Sequence, residues 1–362
     1  MKTGVEASAA RSNTNSLTCD ILPVLSGRVA AVIKKAGVSS FEPLEEIRLR
    51  ADKPLMLQNY NREWFIYDDG SIAAKPSGSI ETIHLPYKPD SQWKGNDRTP
   101  VFTVTQDDIM SSLERMSENS IYAYQDEIRN GYITIRGGHR VGITGRVIVD
   151  GGRVKNIRDA AGLNIRLSGQ MIGCADKVMG HIIKNSSDIY NTLVISPPQC
   201  GKTTILRDMA RILGDGSTRF GFRGVKVGIV DERSEIAACL HGIPQNHIGL
   251  RTDVLDGCPK SIGMPMLIRS MSPKVVITDE IGSDGDREAV QAVLNAGVRI
   301  VTSAHGYNIS ELKSRREVLK MMEDRVFERY IVLGNANGPG SLVEVLDGTT
   351  MKPLTGAGSN AV

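Results

Sequence analysis

The fold is decided by one stretch of this 362-residue sequence, Ser196-Pro197-Pro198-Gln199-Cys200-Gly201-Lys202-Thr203-Thr204. An apolar, β-branched run at 191–195 precedes it, and an amphipathic segment occupies 201–213. This order of strand, loop and helix is the context of a phosphate-binding loop, whose backbone N–H groups and helix N-terminus bind phosphate oxygens. We therefore predict that all nine residues of this stretch bind the phosphates of a nucleotide.

Two side chains of this loop have predicted roles of their own. Lys202 would reach the β- and γ-phosphates as a point charge, and the Thr203 hydroxyl would bind Mg²⁺. The loop departs from the pattern GxxxxGK[ST], because Ser196 stands at the first glycine and Gln199 replaces a glycine common in related loops. Gly-Lys-Thr alone often arises by chance, so an ordinary strand-to-helix turn is the alternative interpretation.

A second signal lies at 274–280, where four apolar or β-branched residues lead into the carboxylates Asp279 and Glu280. In open α/β sheets, ligands bind at the carboxyl ends of the strands. We predict that Asp279 holds Mg²⁺ through water and that Glu280 orients or deprotonates the attacking water. The alternative is an acidic pair that merely faces the surface after a strand.

Two further runs deliver polar groups to strand ends. The run at 227–233 ends in Asp231-Glu232-Arg233, and the run at 300–305 ends in Thr-Ser-Ala-His. We predict that Glu232 is a second catalytic carboxylate and that His305 contacts the γ-phosphate. A histidine with a purely structural role is the competing interpretation.

The alternation of patterns predicts an α/β domain with a parallel sheet, preceded by a smaller α+β domain. We place flexible tails at 1–18 and 353–362, the α+β domain at 19–170 and the P-loop domain at 171–352. A loop or insertion is expected at 70–100. The predicted strands of the second domain are 191–195, 225–230, 274–278 and 299–303, its predicted helices are 201–213, 261–270 and 286–296, and a closing hairpin joins 325–333 to 341–346.

Composition excludes several other classes of protein. The 44 Lys and Arg nearly balance the 41 Asp and Glu, so the net charge of +3 gives no overall argument for binding nucleic acid. The five cysteines are scattered without a CxxC pair, which argues against disulfides or zinc and favours a reducing cytosol. No apolar run approaches the roughly 20 residues of a membrane span, and the N-terminus does not resemble a signal peptide.

The segments 270–281 and 301–305, with the helix between them, resemble the secretion and pilus-motor ATPases. In that superfamily an acidic "Asp box" precedes the Walker B strand, which corresponds here to 274–280, and a "His box" follows that strand. Asp231-Glu232-Arg233 falls where the Asp box belongs, and residues 302–305 fall where the His box belongs. The resemblance implies a RecA-like P-loop NTPase fold and the use of ATP and Mg²⁺.

A closer resemblance is to the stage III sporulation protein AA family of endospore-forming bacteria. The matching stretches are Glu45–Arg50, Gly142–Arg146, Ile157–Asp159, Leu163–Arg166 and Asp253–Gly257. That family carries the Ser-Pro-Pro-x-Cys-Gly-Lys-Thr-Thr form of the loop. It implies a homo-oligomeric, hexameric ring in the cytoplasm, peripheral at the mother-cell side of the forespore membrane, which docks on membrane proteins of the sporulation channel.

The stretch 136–166 is strongly basic and has three competing interpretations. Its arginines reach a neighbouring subunit's γ-phosphate, as the secretion-ATPase resemblance implies, or bind nucleic acid, or form a solvated face. Aromatic residues make up only 5% of the chain and are not interleaved with these arginines, which weakens a stacking platform for nucleic acid. We predict Arg158 and Arg166 as the catalytic arginines.

These observations predict an oligomeric motor that hydrolyses ATP to ADP and phosphate within a membrane-associated, secretion-type complex during sporulation. A nucleic-acid-dependent ATPase is one alternative, and stimulation of turnover by DNA or RNA would distinguish it. A nucleotide-gated scaffold is another, and it would bind ATP without releasing phosphate.

Overall fold

The computed structural model divides the chain into two compact units, residues 1–169 and 170–362. The predicted tail at 1–18 lies outside the described residues except for its last two, as do 355–362 and most of the segment 70–100. The structure describes 17–37, 44–59, 62–74, 100–118, 120, 124–336 and 338–354.

The strands of the first unit are β1 (Glu46–Arg50), β2 (Lys53–Pro54), β3 (Met56–Asn59), β4 (Arg62–Ile66), β5 (Ile72–Ala74), β6 (Thr103–Val104), β7 (Tyr132–Ile135), β8 (His139–Asp150) and β9 (Arg153–Arg166). Seven of them form an antiparallel sheet in the order β5-β4-β3-β1-β9-β8-β7. The short strands β2 and β6 pair with each other.

The helices of this unit are α1 (Gly27–Ala36), α2 (Gln106–Met116) and α3 (Gln125–Arg129), with helical turns at Leu17–Ile21, Leu22–Val24 and Arg136–Gly138. A buried polar contact joins the starts of α1 and α2. Ser26 caps α1 by accepting from the Val29 N–H, and its hydroxyl donates to Asp108 at 2.7 Å. Asp108 is also the third residue of α2 and completes a capping box with Thr105. One carboxylate therefore fixes the starts of both helices.

The strands of the second unit are β10 (Ile183–Asn185), β11 (Asp188–Ile189), β12 (Thr192–Ser196), β13 (Val227–Asp231), β14 (Thr252–Asp256), β15 (Val275–Thr278), β16 (Arg299–His305), β17 (Arg329–Gly334) and β18 (Ser341–Asp347). Seven of them form one sheet in the order β14-β13-β15-β16-β12-β17-β18. All neighbours in this sheet are parallel except the last pair, β17 and β18. The strands β10 and β11 form a separate small hairpin.

Helices cover both faces of this sheet. Successive residues of its strands point to opposite faces and pack in two different hydrophobic clusters. Val194 packs in the cluster that contains Leu206 and Met209, whereas Leu193 packs in the cluster that contains Leu267 and Val290. The helices of this unit are α4 (Asp176–Ile182), α5 (Lys202–Asp215), α6 (Lys260–Met271), α7 (Asp284–Asn295), α8 (Ile309–Leu312) and α9 (Arg316–Glu323). None of the helices in the described part of the chain is long and apolar enough to cross a membrane.

Candidate functional site

Four strands of the parallel sheet end at the same edge and deliver polar residues there. Ser196 at the end of β12 is in register with His305 at the end of β16. Asp231 ends β13, and Asp279 directly follows β15, whose last residue, Thr278, is in register with Val230. The strand register thus brings the predicted loop, both acidic pairs and the predicted histidine to one edge.

The predicted phosphate loop joins a fully buried strand to a helix, as expected. Ser196 is buried at the end of β12, and α5 begins at Lys202. Gly201 has φ +76°, in the left-handed region that favours glycine. A Cβ atom there would lie 3.4 Å from the backbone N of Gly340, so the turn between β17 and β18 packs closely against the loop.

The remaining loop residues differ in their access to a ligand. Pro198 and Gln199 are exposed, and Gln199 adopts a left-handed backbone with φ +59°. Cys200 is buried. Pro197, Thr203 and Thr204 are partly exposed. The first N–H groups of α5 have no partner within the helix and are available to an anion.

Lys202 is held at the inner side of this loop. Its side chain is buried, and its Nζ atom lies 3.2 Å from the carbonyl oxygen of Ser196 and 3.4 Å from that of Pro197. Burial lowers the pKa of Lys202, while the carboxylates of Glu280 and Asp279 act in the opposite direction. The ammonium group is therefore placed where the loop meets the ends of the acidic strands.

His305 connects this lysine to Glu280. Nζ of Lys202 lies 2.8 Å from Nδ1 of His305, and Nε2 of His305 lies 2.6 Å from Oε1 of Glu280. An ammonium group can only donate, so Nδ1 accepts and the ring proton is on Nε2, from which it is donated to Glu280. The sequence stretches 196–204, 274–280 and 300–305 thus meet in one chain of side chains.

The turn that carries Glu280 is fixed by the neighbouring strand. Glu280 has φ +34°, and its N–H donates to the hydroxyl of Ser303 at 3.1 Å. The N–H of Ile281 donates to the Ser303 carbonyl at 2.9 Å. Arg233 approaches the second carboxylate oxygen of Glu280 at 3.6 Å. The position of this carboxylate is therefore set by residues from β16 and from the loop after β13.

The first acidic residue of the other pair organises backbone. Asp231 is fully buried, and its carboxylate accepts from the N–H groups of Glu235, Ile236 and Ala237 at 2.8–2.9 Å. Burial raises the pKa of Asp231 to about 6, although the backbone N–H groups oppose that shift. Arg207 of α5 donates to the carbonyl oxygens of Glu235 and Ile236. Asp231 and Arg207 thus hold the loop that follows β13.

The second acidic residue, Glu232, pairs with a lysine that the sequence analysis did not identify. Lys260 is buried at the start of α6, where it contacts the Glu232 carboxylate and lies 3.7 Å from Oδ1 of Asp279. Burial disfavours its charge, but the two carboxylates outweigh that effect and raise its pKa. The available sequence signal was a lysine in the first turn of a helix, where the helix dipole disfavours a positive charge.

The Asp279 carboxylate suits a divalent cation that also binds phosphate oxygens of a nucleotide. Asp279 is buried, its Oδ1 atom has no hydrogen-bond partner, and burial raises its pKa against the effect of Lys260. Among the described residues, no three His, Cys, Asp or Glu side chains cluster as a metal site. The unpartnered oxygen of Asp279 suits an ion of the Mg²⁺ type, which binds few protein ligands and several water or phosphate oxygens. Thr203, partly exposed in the first turn of α5, is the second ligand that the sequence predicts.

The two predicted catalytic arginines lie in the first unit, on β9. Arg158 is exposed and is in register with Arg146 of β8. Arg166 is exposed, and its Nε atom lies 3.4 Å from Glu46. Their assignment as catalytic groups stays a prediction.

Comparison with known families agrees with the sequence motifs. The model of the sporulation stage III protein AA family matches residues 85–352. The chain belongs to this family. Stage III sporulation protein AA of Bacillus subtilis (strain 168) is 48% identical over 257 residues, which cover 70% of this chain and 82% of that protein. The resemblance inferred from the motifs is confirmed, although the family match leaves out the early motif at 45–50.

Two solved structures resemble this member of the family in fold. The ATPase DotB of Legionella pneumophila has a TM-score of 0.51 and 13% identity, covering 88% of this chain and 80% of that chain. The pilus retraction motor PilT with bound ADP has a TM-score of 0.51 and 14% identity, covering 90% and 82%. The predicted fold class, a RecA-like α/β fold with a parallel sheet, is confirmed.

Proposed function

We propose that this sporulation protein is an ATPase that binds ATP on residues 196–204 and hydrolyses it to ADP and phosphate. One observation carries the proposal: the ammonium of Lys202 is connected through His305 to the carboxylate of Glu280. In this proposal, Lys202 supplies the cation for the phosphates and Glu280 the carboxylate for the attacking water, both at one sheet edge. The fold shared with an ATPase and with an ADP-bound motor supports the proposal.

In this proposal the loop residues have distinct roles. Backbone N–H groups of the loop bind phosphate oxygens, and Lys202 meets the β- and γ-phosphates. A Mg²⁺ ion held by the Thr203 hydroxyl and, through water, by Asp279 would offset the negative charge of the phosphates. Glu280 orients or deprotonates the attacking water, and the Nε2–H of His305 holds its carboxylate in place.

The geometry favours Glu280 over Glu232 as the general base. Glu280 is linked to the phosphate-loop lysine through a single histidine. Glu232 is paired with the buried Lys260, which neutralises its charge. We therefore assign Glu232 a supporting role near the metal and Glu280 the contact with water.

We further propose that the protein works as a homo-oligomeric, hexameric ring with the α+β domain at 19–170 and the ATPase domain at 171–352. In that ring Arg158 and Arg166 act on the nucleotide of a neighbouring subunit. The ring is cytoplasmic, and it docks on membrane proteins of the sporulation channel at the mother-cell side of the forespore membrane. Membership of the sporulation family supports this setting, and the balanced charge of the chain gives no overall argument for nucleic acid as a partner.

The proposal is tested by measuring phosphate release from ATP over a series of protein concentrations, with and without DNA. An oligomeric ATPase should show a specific activity that rises with protein concentration and is unchanged by DNA. Turnover that depends on DNA would instead indicate a nucleic-acid-dependent ATPase. Binding of ATP without phosphate release would indicate a nucleotide-gated scaffold.

A further inference from the structure

Lys260 is a buried cation between two acidic strand ends. Its side chain is 8% exposed, and its Nζ atom contacts Oε2 of Glu232 and lies 3.7 Å from Oδ1 of Asp279. Glu232 follows β13 and Asp279 follows β15, and these strands are adjacent in the sheet. One ammonium group therefore faces the residues that directly follow two neighbouring strands.

This contact has a direct consequence for any cation bound by Asp279. The Oδ1 atom of Asp279 is buried and has no hydrogen-bond partner, so the interaction with Lys260 is a longer-range ion pair. A divalent cation at this carboxylate would lie within a few ångströms of the ammonium. Two positive charges at such a separation repel strongly in a poorly hydrated site.

Glu232 provides a partner for the Lys260 ammonium when that group moves away from Asp279. Lys260 begins α6, so its backbone is fixed by the helix. The Glu232 side chain, which is 40% exposed, can keep the ammonium paired when the ammonium moves away from Asp279. Glu232 is thus the natural second partner of Lys260 when Asp279 is engaged elsewhere.

We propose that Lys260 is a positioning residue that competes with the divalent cation for Asp279 and is retained by Glu232 when the cation binds. This inference rests on the proposed function, since it takes Asp279 as the metal-binding carboxylate. Lys260 sets the affinity of the site for metal, and it keeps the two acidic strand ends from repelling each other.

The test is a titration of the nucleotide-free protein with Mn²⁺, in which electron paramagnetic resonance measures the unbound ion. Lys260→Met should tighten Mn²⁺ binding by about 10-fold, because it removes the competing charge. Lys274→Met is the matched control: Lys274 is exposed and precedes β15 at its other end, so this change should leave the affinity unaltered. Thermal melting of each variant verifies that it is folded.

A second pair of variants separates competition from a simpler explanation. Lys260→Met also frees Glu232, whose carboxylate then becomes available to the metal. The same change is therefore repeated in a Glu232→Gln background, where it should again tighten Mn²⁺ binding. Glu232→Gln alone should weaken Mn²⁺ binding, because Lys260 then has only Asp279 as a partner. Since Glu232 is at the surface, this variant keeps the test available even if Lys260→Met does not fold.

The outcomes distinguish this inference from the proposed function. An Mn²⁺ affinity unchanged or weakened by Lys260→Met, together with loss of binding in Asp279→Asn, would overturn the role of Lys260 alone. An affinity that Asp279→Asn leaves unchanged would overturn both the metal assignment and the role of Lys260.

Discussion

Nζ of Lys202 lies 2.8 Å from Nδ1 of His305, although 103 positions separate the two residues in the sequence. They meet because β12 and β16 are adjacent parallel strands that end in register, with Ser196 opposite His305. The other nitrogen of the same ring donates to Glu280. The histidine therefore joins the phosphate loop to the carboxylate proposed as the general base.

Replacing His305 should slow hydrolysis more than it weakens nucleotide binding. His305→Ala removes the donor that orients Glu280, and a misplaced catalytic group can reduce turnover by about 10²-fold. His305→Gln should restore part of the rate, because its amide can donate to Glu280. His247→Ala is the control, since His247 is half exposed and pairs with Asp215 at the far end of α5. Rates from phosphate release and affinities from a fluorescent ATP analogue check this, and an equal loss of both in His305→Ala would speak against the positioning role.

The two glutamates should respond differently to amide substitution. Glu280→Gln should keep ATP binding but slow hydrolysis by about 10²-fold or more, the scale of a lost general base. Glu232→Gln should have the smaller effect, because its carboxylate is paired with Lys260. Single-turnover rates with bound ATP measure the difference. If only Glu232→Gln slows the reaction, the general base is Glu232, after β13, and not Glu280, after β15.

Arg158 and Arg166 should act across a subunit boundary. A cation supplied in trans to the γ-phosphate can increase turnover by about 10³-fold or more. An inactive Arg166→Ala protein mixed with an inactive Lys202→Ala protein should then regain part of the activity, because some interfaces pair an intact loop with an intact arginine. Arg146→Ala, on the exposed part of β8, serves as a control that should stay active alone. A rate that is independent of protein concentration, with no rescue on mixing, would show that the site is complete within one chain.

Asp231 should make the stability of the second unit depend on pH. The pKa of Asp231 is raised from 3.8 to about 6 in the folded protein. The folded state therefore holds the proton more tightly than the unfolded state, so this contribution is present below about pH 4 and is lost as the pH rises through 6. Asp231→Asn removes the titration. The free energy of unfolding of the wild type relative to this variant should fall by about 2 kcal/mol between pH 4 and 7. A constant difference in denaturant melts across that range would contradict the assignment.

Much of the parallel sheet could be predicted from the sequence, because buried strands are continuous apolar runs. The predicted strands at 191–195, 225–230, 274–278 and 299–303 correspond to β12, β13, β15 and β16 within a few residues. The strand β14, Thr252–Asp256, was missed, because its residues are all only partly buried and Asp253 and Asp256 interrupt its apolar pattern. Nothing in the linear pattern specified the order of the strands, which depends on the crossover helices.

The candidate site, like the sheet, could be predicted only in part from the sequence. The sequence presents Asp231-Glu232 and Asp279-Glu280 as equivalent pairs at strand ends. The structure separates them, because Asp231 accepts three backbone N–H groups whereas Asp279 keeps an oxygen without a hydrogen bond. Lys260 could not be found from motif spacing, since it lies between the two pairs only after β13 and β15 become neighbours.

Phosphate release from wild type and Lys202→Ala is the sharpest test of whether ATP is hydrolysed on the loop at 196–204. The substitution removes the ammonium that the structure holds between the loop carbonyls and His305. We expect turnover by the wild type and a loss of about 10²-fold or more in the variant, with an unchanged melting temperature and with Lys274→Ala active as a control. Hydrolysis by folded Lys202→Ala at the wild-type rate would show that ATP is not hydrolysed on this loop.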